Sequence, residues 1–384
     1  MPYNFDEIVP RRGTCSVKWD CGPNDTRLSE DCIPMWIADM DFACAPAIVA
    51  ALHEAVDRRI YGYSTLPENY YATVIEFFRR RHNFTCDEQD IVFSQGVVPM
   101  LNYAVKAFTK PGEGVIVQTP VYYPFFSAIA GNDRAIVENP LVLENGAYTV
   151  DYEDLEAKAA DPNNKMLLIC SPHNPVGRVW TQEELRRMQD ICLKHDLILM
   201  ADEIHFDLIR KGHTHHSVME LFPDAQNILC CTAPSKTFNL AGMSASHAIC
   251  KNAELREKLI AVVGRQGLHP LSAAAVMAAY TQCDDWLDEA NAYMDENFEC
   301  FYELCAKYFP KAVPTRTEGT YLAWLDVRAY TEDTKALEEK LLNDLGVYIE
   351  CGDAFHGQGW LRINLACPRA YIEEAFARAS KLLK

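Results

Sequence analysis

Lys236 follows the apolar run Ile228-Leu229-Cys230-Cys231 within NILCCTAPSKTFNLAGM, Asn227–Met243. An ε-amine just past the end of a buried strand sits where open α/β sheets bind ligands, and partial shielding there lowers its pKa and lets it attack carbonyls. Alone, such a lysine reads more readily as a solvated loop residue. Four other positions change that reading. In Ser94-Gln95-Gly96-Val97-Val98-Pro99 a strand runs into a helix. Gly96 permits the tight turn, Pro99 suits a first helical position, and the N–H groups of Gly96, Val97 and Val98 face an anion. Asn174 lies between two prolines in Ser171–Gly177, which fixes the direction of its amide. Asp202, in Asp202-Glu203-Ile204-His205, ends another apolar run, where a carboxylate needs a cation or donors. Arg362 stands inside the apolar Trp360–Asn364 and wants a carboxylate, from the protein or from a ligand.

A phosphate site, an amide donor, a buried carboxylate, a lysine and a carboxylate-binding arginine together fit pyridoxal 5′-phosphate holding an amino acid. Lys236 is then the Schiff-base amine and the general base, and Asp202 pairs with the protonated pyridine nitrogen. The Gly96 loop takes the phosphate, and Arg362 grips the substrate's α-carboxylate in bidentate fashion.

The elements that must position these groups follow from hydrophobic pattern. Strands are expected at Asp90–Phe93, Gly114–Gln118, Ala135–Glu138, Met166–Cys170, Leu197–Ala201, Asn227–Cys231 and Ser246–Cys250. Several are continuous apolar runs separated by helical stretches, the mark of a mainly parallel seven-stranded sheet covered by helices on both faces. Helices are expected from Pro46 to Arg59, with Ile48, Val49, Leu52 and Val56 at helical spacing, from Glu68 to His82, with Val74, Ile75, Phe77 and Phe78 inward, and from Thr181 to Leu193. The last carries a capping box, Thr181 with Glu184, and a staple, Trp180 with Leu185. The basic end Arg79-Arg80-Arg81 complements the helix dipole. Later come helices at Pro270–Tyr280 and Trp286–Tyr308, a strand at Tyr321–Val327, a helix at Thr331–Leu345 ended by Gly346, a strand at Gly359–Asn364 and a helix at Ala370–Leu383. The division expected is an arm with part of the small domain at 1–45, a large domain at 46–280 and a small α+β domain at 281–384.

The 384 residues carry a net charge of −18, which repels nucleic acid and anionic membranes. No apolar run reaches a membrane span, and the N-terminus lacks an apolar signal core. The fifteen cysteines lie largely in apolar runs without zinc spacing, so they are expected as reduced core residues of a cytoplasmic protein. The cluster His213, His215, His216 reads as a solvated loop, not a metal site. Arg178 is equally a structural ion-pair residue or a support of the site.

The order Gly96 loop, Thr119-Pro120-Val121-Tyr122, Asn174–Gly177, Asp202, Ser235-Lys236, Arg362 resembles the fold-type I pyridoxal-phosphate enzymes of the class I/II aminotransferase family. The segments WIADMDF (Trp36–Phe42), YGYS (Tyr61–Ser64), SPHNPVGRVW (Ser171–Trp180), ADEIHFD (Ala201–Asp207), SKTFNLAG (Ser235–Gly242) and EGTYLAWLD (Glu318–Asp326) resemble its MalY/PatB branch of cystathionine and cysteine-S-conjugate β-lyases. The resemblance implies an aspartate-aminotransferase-like fold and roles by position. Tyr122 stacks on the pyridine ring, and Asn174 donates to the cofactor's 3′-oxygen and contacts substrate. Ala38 belongs to the segment that closes over the substrate carboxylate. Tyr63 reaches the phosphate of the neighbouring subunit's cofactor, implying a homodimer. Two positions depart from the aminotransferase pattern. His205 replaces a tyrosine, and Ser244 replaces the usual phosphate-binding arginine. Phosphate is then met by backbone N–H groups, by Ser235 or Thr232 hydroxyls and by Tyr63.

The activity implied is β-elimination from L-cystathionine, L-cystine or another S-substituted cysteine, giving a thiol, pyruvate and ammonia. The same residues serve an aminotransferase as far as removal of the Cα proton, and a binding or regulatory protein on this fold is a third reading. Dependence on a 2-oxo acid separates the first two.

Overall fold

The computed structural model describes residues 3–264 and 266–382. Seven strands form the main sheet: β1 (Ile91–Ser94), β2 (Gly114–Val117), β3 (Ala135–Glu138), β4 (Asn164–Cys170), β5 (Ile198–Asp202), β6 (Ile228–Thr232) and β7 (Ser246–Ile249). Their order is β1-β7-β6-β5-β4-β2-β3, with β7 alone antiparallel to its neighbours. The strands are apolar throughout because both faces are covered. Along β4, Leu167 and Ile169 enter one core while Met166, Leu168 and Cys170 enter the other. The α/β architecture expected from the pattern is the one found. Because β7 runs backwards, Ser246 at its start lies beside Ser94 at the end of β1, at the carboxyl ends where the other strands terminate.

Helices α1 (Pro46–Asp57), α2 (Tyr70–His82), α3 (Val97–Phe108), α4 (Gln182–Lys194), α5 (Pro234–Thr237), α6 (Pro270–Gln282), α7 (Asp284–Tyr308), α8 (Thr334–Leu345) and α9 (Arg369–Ala379) complete the parts that matter here. The α4 capping box forms as its sequence dictates: the Glu184 N–H donates to Thr181 Oγ1 and the Thr181 N–H to the Glu184 carboxylate. In α1 the apolar stripe is only partly covered. Ile48 and Ala55 are buried, whereas Val49 and Val56 are exposed. The basic end of α2 makes ion pairs. Arg79 meets Glu76, while Arg80 and Arg81 meet Asp284 and Asp288 at the start of α7.

The second sheet, β8 (Val313–Pro314), β9 (Leu322–Asp326), β10 (Glu350–Cys351) and β11 (Trp360–Asn364), is antiparallel in the order β8-β9-β11-β10. It packs with α8 and α9 around a separate core. Helix α7 serves both cores. Trp286, Leu287, Tyr293 and Met294 enter the large one, and Phe298, Phe301 and Cys305 the small one. Between them the buried Asn297 donates to the carbonyls of Leu365 and Cys367, both at 2.9 Å. The N-terminal arm closes over the same helix, with the Phe5 ring 5.0 Å from Phe42 and 5.8 Å from Trp286. Ile33-Pro34 pairs in parallel with Val347-Tyr348, which ties the arm to the small sheet.

Candidate active site

The carboxyl ends of β1, β4, β5 and β6 open into a cavity of about 170 Å³. Its wall includes Ala38, Gly96, Val97, Val98, Tyr122, Asn174, Asp202, His205, Ser235 and Lys236, ten of the residues named from sequence. Ser244 and Cys170 also face it. Each position follows from local structure. Gly96 has φ +138°, a conformation L side chains rarely adopt, and it delivers the chain from β1 into α3. Helix α3 begins at Val97, so Pro99 is its third residue and not its first. Its missing N–H is still one of the donors a helix start leaves unpaired.

Asp202 is the last residue of β5 and is 2 % exposed. The Ile204 N–H donates to its Oδ1 at 3.1 Å, and no cation pairs with it among the described residues. Burial raises its pKa to about 7, against that hydrogen bond and the nearby Lys236 charge. Lys236, on the single turn α5, donates from Nζ to the Ala38 carbonyl at 2.5 Å. Burial lowers its pKa to about 8, opposed by Asp39 and Asp202 and reinforced by Arg362. His205, buried between these cations and 5.9 Å from the Tyr321 ring, is held neutral, its pKa pushed well below the usual value by burial.

Arg362 comes from the middle strand of the small sheet and is 2 % exposed. Its Nη1 donates to Asn174 Oδ1 at 3.4 Å, which leaves the amide nitrogen of Asn174 as a donor. Its Nη2 donates to the Trp36 carbonyl at 2.8 Å and to the Glu350 carboxylate. The guanidinium lies 4.5 Å above the Phe355 ring. Of the two carboxylate sources weighed from sequence, the protein supplies one, Glu350, which sequence reading did not single out.

The segment Trp36–Phe42 is held at almost every peptide. Asn364 donates to the Ile37 and Asp39 carbonyls, and Asn239 to those of Met40 and Phe42. Asp41 accepts from Arg11, Lys18 and the Trp19 indole.

Three sequence readings are corrected or sharpened. Thr232 ends β6 fully buried and away from the cavity wall. Strand alternation gives it the face of Cys230. The side chain of His215 is 3 % exposed and 3.5 Å from Glu203, so it is not a solvated loop residue, whereas His216 pairs with Glu220 near the surface. Arg178 is an ion-pair residue, bonded to Glu184, Glu318 and the Tyr148 carbonyl. Tyr63 is fully exposed and outside the cavity, in a neighbouring cleft that shares Gln95 and Ser244 with it.

The sequence pattern of aminotransferase class I and II matches residues 30–378. The chain belongs to that family. Within it, the chain is 39% identical to the cystathionine β-lyase PatB of Bacillus subtilis, over 99% of this chain and 100% of that one. It is 33% identical to the protein MalY of Escherichia coli, over 98% and 97%. The crystal structure of cystalysin from Treponema denticola, which contains a pyridoxal 5′-phosphate cofactor, superposes with a TM-score of 0.94 at 39% identity, over 100% of this chain and 99% of that one. These relatives place the chain in the family's MalY/PatB-like branch. No helix among the described residues is long and apolar enough to cross a membrane.

Proposed function

We propose that the protein is a pyridoxal-phosphate-dependent carbon–sulfur β-lyase that cleaves L-cystathionine or a related S-substituted cysteine. One observation carries the reading: a half-buried amine, Lys236, shares a cavity with a buried carboxylate, Asp202, that lacks a paired cation among the described residues. A protonated pyridine nitrogen is the partner such a carboxylate needs. The names of the relatives support the sulfur chemistry, and the pyridoxal 5′-phosphate of the cystalysin structure supports the cofactor.

The residues present fit the group. The N–H groups at the start of α3, with Ser235 and Ser244, surround the place for its phosphate. Tyr122, Asn174 and His205 line the same cavity, where Tyr122 would stack on the ring and Asn174 would donate its amide nitrogen to the 3′-oxygen. When bound, the cofactor supplies an aldehyde that condenses with amines and a cationic ring that withdraws electrons from Cα. Asp202 keeps the proton on the ring nitrogen. Arg362 orients the substrate's α-carboxylate, beside Asn174 and under the Ala38 segment. Lys236 takes the Cα proton at Nζ. With its pKa lowered to about 8, a useful fraction of the amine is neutral near neutral pH. The electrons left at Cα expel a thiolate from Cβ. Addition of one water then gives a thiol, pyruvate and ammonia in equal amounts.

A second chain completes the reading. Tyr63, Tyr61, Ile60, Val56 and Val49 are large apolar residues all left exposed within one stretch of chain, which supports a homodimer whose Tyr63 reaches the other subunit's phosphate. The protein works in the cytoplasm, consistent with its free cysteines, most of them buried.

The test uses purified holoenzyme with L-cystathionine and no 2-oxo acid. Equal release of pyruvate and free thiol is expected. Product formation only after a 2-oxo acid is added would show an aminotransferase instead.

A further inference from the structure

Arg362 has its charge matched before any substrate arrives. Glu350 on β10 is its register partner across the ladder to β11, and one Nη2 hydrogen goes to that carboxylate and the other to Trp36. Asn174 takes an Nη1 hydrogen, while the buried Nε has no partner. Among the described residues the Nε and one Nη1 hydrogen are the donors left for an incoming α-carboxylate, which must settle beside an existing anion. The side chain of Glu350 is 12 % exposed, so water screens that repulsion poorly. Substrate and product of the reaction differ in this respect. An amino acid arrives as a zwitterion whose ammonium offsets the repulsion, whereas pyruvate, or any 2-oxo acid, arrives as a bare anion.

We infer that Glu350 makes the Arg362 site selective for zwitterionic amino acids over anionic 2-oxo acids. It holds the guanidinium in place in the empty site and weakens rebinding of the product. It also disfavours the 2-oxo acids that transamination would need, so it favours elimination on a scaffold common to both reactions. The inference rests on Arg362 being the α-carboxylate site.

Other charges bear on Glu350. Lys335 and Glu338 on α8 lie near it, as do the hydroxyls of Tyr122, Tyr123 and Tyr348. Burial raises the pKa of Glu350, Glu338 adds to the rise, and Arg362 and Lys335 oppose it. Protonation as the pH falls should release Arg362 and strengthen binding of pyruvate.

The experiment compares wild-type, Glu350→Gln and Arg362→Lys holoenzymes, with pyruvate as a competitive inhibitor of L-cystathionine cleavage. In Glu350→Gln the inhibition constant of pyruvate should fall about tenfold, for the loss of one nearby anion. The KM for L-cystathionine should change less than the inhibition constant of pyruvate. The wild-type inhibition constant should fall as the pH is lowered, more steeply than that of the variant. Arg362→Lys should raise both the KM and the inhibition constant. If it raises both while Glu350→Gln leaves pyruvate binding unchanged, or weakens both ligands alike, the selectivity role is overturned and the Arg362 reading stands. If Arg362→Lys changes neither constant, the Arg362 reading itself fails and the inference with it.

Discussion

The Nζ of Lys236 donates a hydrogen bond to the main-chain carbonyl of Ala38, 198 residues earlier in the chain, at 2.5 Å. The amine assigned to the chemistry is thus also a tie between the large sheet and the N-terminal arm. An amine bonded to a carbonyl is held in one direction, which suits a base that must meet a single proton. Ala38 has its place because Asn239, three residues beyond the lysine, holds Met40 and Phe42.

Replacing Asn239 with alanine should loosen that tie. Amide hydrogen exchange across Trp36–Phe42 should accelerate, and kcat/KM should fall about tenfold while the far-ultraviolet spectrum is unchanged, since the loss is of local order. Unchanged exchange in this segment would show that the arm is held by other contacts.

Lys236→Ala should lose turnover by a factor of about 10³ or more, because general base and cofactor anchor disappear together. Borohydride treatment followed by intact-mass measurement should find the cofactor attached to the wild-type chain and not to the variant. Near-normal pyruvate release by the variant would refute the assignment.

Asp202 sets a pH dependence in the cofactor-free protein. Its folded pKa of about 7 lies above the ordinary 3.8, so its contribution to stability is full below the latter and is lost as the pH rises through about 7. Lys236 acts oppositely. Its folded pKa of about 8 lies below 10.5, so its contribution is present above the latter and is lost as the pH falls through about 8. Asp202→Asn should therefore stabilise apoprotein above about pH 7, by on the order of 2–4 kcal/mol, while weakening retention of pyridoxal phosphate. The measurement is the denaturation midpoint of apoprotein against pH. A variant no more stable than wild type at about pH 8 would mean that the buried carboxylate has a partner in solution.

Tyr63 offers a test of the dimer that needs no structure. Tyr63→Ala and Lys236→Ala should each be weak or inactive alone. In a hybrid, the site carrying Lys236 receives Tyr63 from the other chain. Random mixing should restore about a quarter of wild-type activity, since half the dimers are hybrids with one complete site each. No gain on mixing would place Tyr63 outside its neighbour's site.

The pattern of the chain reveals the main sheet to within one or two residues per strand, because runs such as Met166–Cys170 are apolar on both faces and have no competing reading. The cavity residues were legible for a related reason. A lysine, an aspartate and an asparagine at the ends of such runs each have a structural reading alone, and it was their joint position at the carboxyl ends of one sheet that marked them. Helical spacing identified the stripe through Val49 and Val56 without saying how much of it the core covers. Thr232 was misplaced because β6 ends one residue later than its apolar run, and one step of a strand turns a side chain to the other face. Glu350 had no signal. An acid beside a cysteine in a short strand looks like an edge residue until its partner across the ladder is known.

Helix α7 gives the molecule a mechanical continuity that its two cores would not have alone. At about 1.5 Å per residue its 25 residues form a rod of nearly 40 Å, gripped at one end by Trp286 and the arm's Phe5 and at the other by Phe301 in the small core. A rod fixed at both ends does not hinge. It flexes, and it stores the work of flexing along its hydrogen-bond ladder. A pull on Arg362 when a substrate binds reaches this rod through the end of β11, at the carbonyl of Leu365 bonded to Asn297. The same helix seats the arm through Phe5 against Trp286 and Tyr293, so the carboxylate-binding strand and the arm share one support.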